Sequence, residues 1–129
     1  MEQKKYELED RFIDFASNIL GIADALPDTG AGNYLGEQLI KSSFSPMLHY
    51  GEAQNSGSRN DFIQKMSAVL QELKGCRIAL KIIRKKEMIK PAAKLEAVYG
   101  ETEHLIAIIG KSISTAKKNK GKAVPATEN

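Results

Sequence analysis

The chain has 129 residues, 42% of them apolar, which is enough for one modest core and too little for a second. Its single cysteine, Cys76, excludes an internal disulfide and any cysteine-rich zinc site, so a reducing, cytoplasmic setting is expected. The net charge of +3 conceals an asymmetry: residues 1–61 carry 5 basic and 10 acidic side chains and residues 62–129 carry 14 and 6, giving halves of −5 and +8.

The N-terminal residues are charged and lack the apolar stretch of a secretory signal, and no run approaches the roughly 18 apolar residues of a membrane span. The first segment places Leu8, Phe12, Phe15, Ile19, Ile22 and Leu26 three or four residues apart, on one helical face. Glu7, Glu9, Asp10 and Asp14 favour the positive end of its helix dipole, and Pro27 stops it, which predicts a helix over 7–26. Asp28 to Asn33 reads as a turn, with Gly30 and Gly32 free to take positive φ.

A second helix is predicted over 33–54 from Tyr34 or Leu35 through Leu39, Ser43, Pro46, Tyr50 and Ala53. Pro46 lacks a backbone donor, so a kink is expected there, with Ser42 or Ser43 satisfying a freed carbonyl. Ser58, three residues before Asp61, reads as an N-cap for a third helix over 59–87. Its stripe of Phe62, Met66, Val69, Leu73, Cys76, Leu80 and Ile83 is the clearest in the chain. Lys90-Pro91 marks a connection, and Leu95, Val98, Thr102, Leu105, Ile109 and Ile113 predict a fourth helix over 92–116.

Residues 117–129, with Lys117, Lys118, Lys120 and Lys122, offer little to bury and are expected to be a disordered basic tail. Four amphipathic helices joined by short turns predict an all-α, antiparallel up-and-down four-helix bundle over 1–116.

The chemistry-bearing residues are sparse. His49 and His104 fall on different helices without motif-level partners, and no nucleophile, base and orienting group occur together, so no catalytic site is expected. Glu37 and Glu52 lack the Glu-x-x-His spacing of ferritin-like metal sites, and Gly30-Ala31-Gly32 lacks the lysine and strand of a phosphate loop. No metal or cofactor is therefore expected. Cys76 sits on the apolar stripe as a small core residue. Glu52 is expected as a buried or interfacial partner of a lysine or arginine. Glu101 and Glu103 are expected to be solvated or to pair with the third helix.

What stands out is basic: Lys74, Arg77, Lys81, Arg84, Lys85 and Lys86 crowd the end of the third helix. At about 100° per residue, Arg77 and Arg84 flank its apolar stripe while Lys74, Lys81 and Lys85 lie beside it. Such a ladder serves as a solvated face, as an intersubunit partner for the acidic first helix, or as a track for nucleic-acid phosphates. With no tryptophan and no interleaved aromatics, base stacking is not expected.

The ordered string Leu26-Pro27, Gln38-Leu39-Ile40-Lys41-Ser42, Tyr50-Gly51-Glu52-Ala53-Gln54 and Asp61-Phe62-Ile63-Gln64-Lys65-Met66, continued by Leu70-Gln71-Glu72-Leu73, resembles the bacterial 23S rRNA intervening-sequence protein family. The resemblance runs over roughly residues 8–113. It implies a four-helix bundle that assembles into a ring, with a pentamer as the expected homo-oligomer. Some relatives are encoded within insertions in ribosomal RNA genes, and the family is similar to the accessory variability protein of diversity-generating retroelements. That protein engages nucleic acid and a reverse transcriptase, which makes RNA, DNA and a reverse transcriptase the partners implied here. The chain departs from the family pattern just before Tyr50: small residues and an asparagine are usual, but Pro46, Met47, Leu48 and His49 occur.

The expectation is therefore a non-enzymatic oligomeric bundle that binds nucleic-acid backbone through its third helix, with no membrane association. The alternative is a structural adaptor whose charged faces join subunits or partners. Pro46, Tyr50, Glu52 and Phe62 are expected to act structurally or at an interface.

Overall fold

The computed structural model describes the backbone of residues 2–119 and the side chains of residues 7–119. Four helices follow one another: α1 (Glu2–Ala25), α2 (Gly30–Gln54), α3 (Arg59–Lys85) and α4 (Ala93–Lys118). Each packs on its two neighbours in the cycle α1, α2, α3, α4, while α1 and α3, and α2 and α4, stand apart across the core. With turns of a few residues between them, the arrangement is an antiparallel up-and-down bundle. Among the described residues all regular structure is helical.

The apolar stripes meet in one core. Phe12, Ile19, Leu39, Phe62, Val69, Leu73, Leu80, Leu105 and Ile109 have no exposed surface. Burying each such side chain contributes about 1.5–3 kcal/mol, so the bundle is held chiefly by this seam of aliphatic and phenyl groups. Thr102 and Ser43 lie in the same seam and satisfy themselves locally, Thr102 Oγ1 donating to the Val98 carbonyl at 2.8 Å and Ser43 Oγ to that of Ile40 at 3.0 Å.

Helix ends follow their caps. The Ser58 side chain accepts from the Asp61 amide at 3.1 Å and opens α3 where the sequence places it. The α1–α2 turn is tighter than expected: Thr29 caps α2 by accepting from the Gly32 amide at 3.0 Å, so the helix begins at Gly30 rather than at residue 33. Gly30 and Gly32 are therefore helical and neither has positive φ. Gly32 is needed for closeness instead, because a Cβ there would collide with the Pro27 carbonyl.

Pro46 does not end α2, which runs through it to Gln54. Pro46 is buried, and the Ser42 hydroxyl turns back to the Gln38 carbonyl at 2.6 Å, one turn before the carbonyl that Pro46 leaves free. α4 reaches Lys118, which makes Lys117 and Lys118 helical, and Asn119 caps its end; residues 120–129 of the expected tail lie outside the described residues.

Candidate functional site

The basic ladder divides on folding. Arg77 and Arg84 turn toward α4, where they meet Glu103 and Glu96, about two turns apart on that helix. Arg84 Nη1 donates to Glu96 Oε1 at 3.0 Å, and its guanidinium lies 4.3 Å from the Tyr99 ring centroid. The Glu96 hydrogen bond raises the Arg84 pKa further. Arg77 Nη1 stands 4.0 Å from Glu103 Oε2. Both arginines thus close the α3/α4 seam.

Lys74, Lys81, Lys85 and Lys86 remain exposed, and none of them makes an ion pair among the described residues. Lys74, Lys81 and Lys85 recur at spacings of seven and four, so they share one outward stripe of α3. Ile78, 59% exposed, lies within that stripe, and Ile82 borders it. The sequence-predicted cationic face is real in part: it is a lysine and isoleucine face, not a ladder of six free cations.

The other expected residues separate. His49 and His104 lie on opposite helices and do not meet. His49 Nδ1 is 3.5 Å from Glu52 Oε1, and Lys65 Nζ of α3 is 3.2 Å from the same oxygen. Glu52 is exposed rather than buried, because its position on α2 points past the core; the hydrogen bond from Lys65, then that from His49, holds its carboxyl below the usual range. Pro46, Tyr50 and Phe62 are buried. His104 Nδ1 is 2.9 Å from Arg11 Nη2, a contact in which the guanidinium is the donor. Arg11 also grips Glu101 with two bonds of 3.0 and 3.1 Å, which ties α1 to α4 in place of the expected solvation of Glu101 or its pairing with α3.

Cys76 is fully buried, and loss of solvent pushes its thiol up to about 12, which outweighs the lowering effect of its hydrogen bond with Ser42. Tyr50 is likewise pushed up to about 12, first by burial and then by the Glu9 charge, and its ring lies 5.4 Å from that of Phe12. The Tyr50 hydroxyl and the Gln54 amide are buried without a hydrogen-bond partner. An open cleft of about 260 Å³ lies along the α1/α4 seam between Phe15, Asn18, Gly21 and Ile22 on one side and Lys94, Val98 and Glu101 on the other. No group of three or more His, Cys, Asp or Glu side chains among the described residues is placed to hold a metal ion. No helix among them is long and apolar enough to cross a membrane.

An apolar surface is the feature that stripe-reading missed. Ile13, Leu20, Ile40, Phe44 and Leu48 are 40–64% exposed. On α2, Ile40, Phe44 and Leu48 follow at intervals of four, each turned about 40° further outward from the flank of Gly36, which lies against Ala23 of α1 and against Leu26. On α1, Ile13 and Leu20 fall on the flank of Glu9, whose charge reaches Tyr50 of α2, and away from the flank of Arg11, which faces α4. Ile13, Leu20, Ile40 and Phe44 therefore border one groove, with Leu48 at its outer rim. The Phe12–Tyr50 ring contact sets the register, bringing Ile13 level with His49, next to Leu48, and Leu20 level with Ser42, within a turn of Ile40. Their signal in the sequence was a second apolar spacing beside each core stripe, at 13 and 20 and at 40, 44 and 48.

The bundle is similar to a solved protein of unknown function from the S23 ribosomal protein family of Bacteroides thetaiotaomicron VPI-5482, with a TM-score of 0.73 and 22% identity. The match covers 81% of this chain and 96% of that one. At this identity the likeness carries the fold and nothing about activity. No family model matches the chain, and no curated protein does.

Proposed function

We propose that the chain is a non-enzymatic assembly module, a helical bundle that associates with copies of itself and serves as a structural scaffold. The observation that carries this reading is the strip of Ile13, Leu20, Ile40, Phe44 and Leu48. Together they leave apolar area on the order of 400 Å² on one face, the size of the largest patch on an ordinary single chain, which is often the one that binds. Burying it in a second copy removes the surface from water without disturbing the core. The likeness to the 23S rRNA intervening-sequence proteins, and through them to the accessory variability protein, supports the same reading and favours a ring of five. A cytoplasmic location accords with it.

Sedimentation velocity over a concentration series tests the proposal. Species at integer multiples of the 14.2 kDa chain mass, growing with concentration, are expected. A mass that stays at one chain throughout overturns it.

A second reading rests on a separate observation, the absence of ion pairs at Lys74, Lys81, Lys85 and Lys86. Four unneutralised ammonium groups on one helix suit the phosphate backbone of RNA or DNA, with affinity that falls steeply with salt. Fluorescence anisotropy with structured RNA and duplex DNA then gives salt-dependent binding that Lys74→Glu, Lys81→Glu and Lys85→Glu together abolish. No binding at low salt removes this reading and leaves the assembly module standing.

A further inference from the structure

We infer that the assembly contact is heterologous: the apolar α1/α2 strip of one copy seats the lysine and isoleucine face of α3 from a second copy. This rests on the assembly reading and specifies the surfaces it uses.

Apart from Tyr34, the exposed large apolar side chains among the described residues fall into two places. Five form the α1/α2 strip, and Ile78 and Ile82 stand on the outer face of α3. The Glu52–Lys65 ion pair sets the register of α2 against α3, which brings Tyr34, 62% exposed, level with the Ile82 turn. One surface is therefore a long apolar groove border and the other a short ridge of two isoleucines. A ridge of this kind packs into a groove between two helices.

Charge selects the pairing. From Glu7 to Ala25, α1 carries Glu7, Glu9, Asp10, Asp14 and Asp24 against a single cation, Arg11, which is already committed to Glu101. Glu37 adds an acid on the α2 side of the strip, and Lys41 is the one cation beside it. The α3 ridge is framed by Lys74, Lys81 and Lys85, which have no ion pair of their own among the described residues. Pairing the strip with its own image sets acids against acids, and pairing the ridge with its image sets lysines against lysines. Strip against ridge alone joins apolar to apolar and acid to base.

The two surfaces also lie on different sides of the bundle. The strip straddles α1 and α2, whereas the ridge points out from α3, Ile78 directly away from the buried stripe and Ile82 away from the flank on which Arg77 and Arg84 reach Glu103 and Glu96. One copy thus holds two neighbours at once, and the contact propagates from chain to chain until it closes.

Two full-length variants test this. Phe44→Asp breaks the strip and leaves the ridge; Ile78→Asp with Lys81→Glu breaks the ridge and leaves the strip. All three positions are exposed, so helicity by circular dichroism should match the wild type. Each variant alone is expected to lose the higher species and sediment as a single chain. Their equimolar mixture is expected to recover one species of twice the chain mass and nothing larger, because only one strip and one ridge remain intact between them.

A mixture that stays monomeric, or a variant that keeps the wild-type mass, overturns the strip-to-ridge contact. If the wild type is oligomeric in that case, the assembly reading survives and only the assignment of surfaces falls. A wild type that never exceeds one chain overturns both.

Discussion

The α3/α4 seam and the α1/α2 seam enclose the same core but end differently at the surface. At α3/α4 the outer edge is polar and finished: Arg84 spans Glu96 and the Tyr99 ring, and Arg77 reaches Glu103. At α1/α2 no ion pair crosses among the described residues, and the edge consists of Ile13, Leu20, Ile40, Phe44 and Leu48. A seam edged with charge is content in water, while one edged with isoleucine and phenylalanine keeps apolar surface in water that a partner would favourably cover. The difference separates residues that make the fold from residues that make its contacts.

Two phenylalanines break that comparison most sharply. Phe62 is fully buried, so Phe62→Ala should lower folding stability by about 3–5 kcal/mol through lost burial and an unfilled cavity. Phe44 is 50% exposed, so Phe44→Ala should leave the stability of the single bundle within about 0.5 kcal/mol while weakening association. Urea titrations at a concentration low enough to dissociate any oligomer measure the first quantity. Equal losses at the two positions would mean that the α1/α2 edge is part of the core after all.

Two glycines of α2 extend the comparison with opposite signs. A Cβ at Gly32 meets the Pro27 backbone, and Gly32→Ala should destabilise by about 1–3 kcal/mol as the turn is forced open. A Cβ at Gly51 meets open space inside a helix, so Gly51→Ala should stabilise by about 0.5–1 kcal/mol. Thermal melts of both variants against the wild type decide the signs.

These positions also show what the sequence discloses. The buried stripes of α3 and α4 were fully legible, because every member from Phe62 to Ile83 and from Leu95 to Ile113 obeys one helical period. The start of α2 was not, because two glycines within six residues suggest a turn until a threonine cap and a close approach to Pro27 explain them. The cations of α3 were legible as a group, but not which of them α4 would neutralise. That depends on whether Glu96 and Glu103 lie on the α3 flank and Glu101 on the α1 flank, a rotation of α4 that no local spacing specifies. The apolar strip was hidden for a similar reason: Ile13 and Ile40 look like ordinary helix residues until the two helices bring them to one edge.

The α1/α4 seam stands between the two extremes. Arg11 holds Glu101 through two hydrogen bonds, yet both side chains are about a third exposed and the cleft runs beside them. Glu101→Gln should therefore cost at most about 1 kcal/mol, and the loss should shrink as salt is added. A larger, salt-independent loss would mean that this pair, rather than the core, fixes α1 against α4.

The smallest effect belongs to the α2/α3 seam and is read by pH. Lys65 and His49 hold the Glu52 carboxyl below its unfolded value, so the folded state binds that proton less readily than the unfolded chain. The resulting stabilisation is present above the ordinary carboxylate range and is lost as pH falls through the lowered folded pKa. Glu52→Gln removes the titration altogether. Stability curves of the variant and the wild type should accordingly differ near neutral pH and converge in acid, with the gap narrowing at high salt because Glu52 is exposed. Curves that stay parallel through the acid range would place the role of Glu52 in side-chain packing rather than in charge.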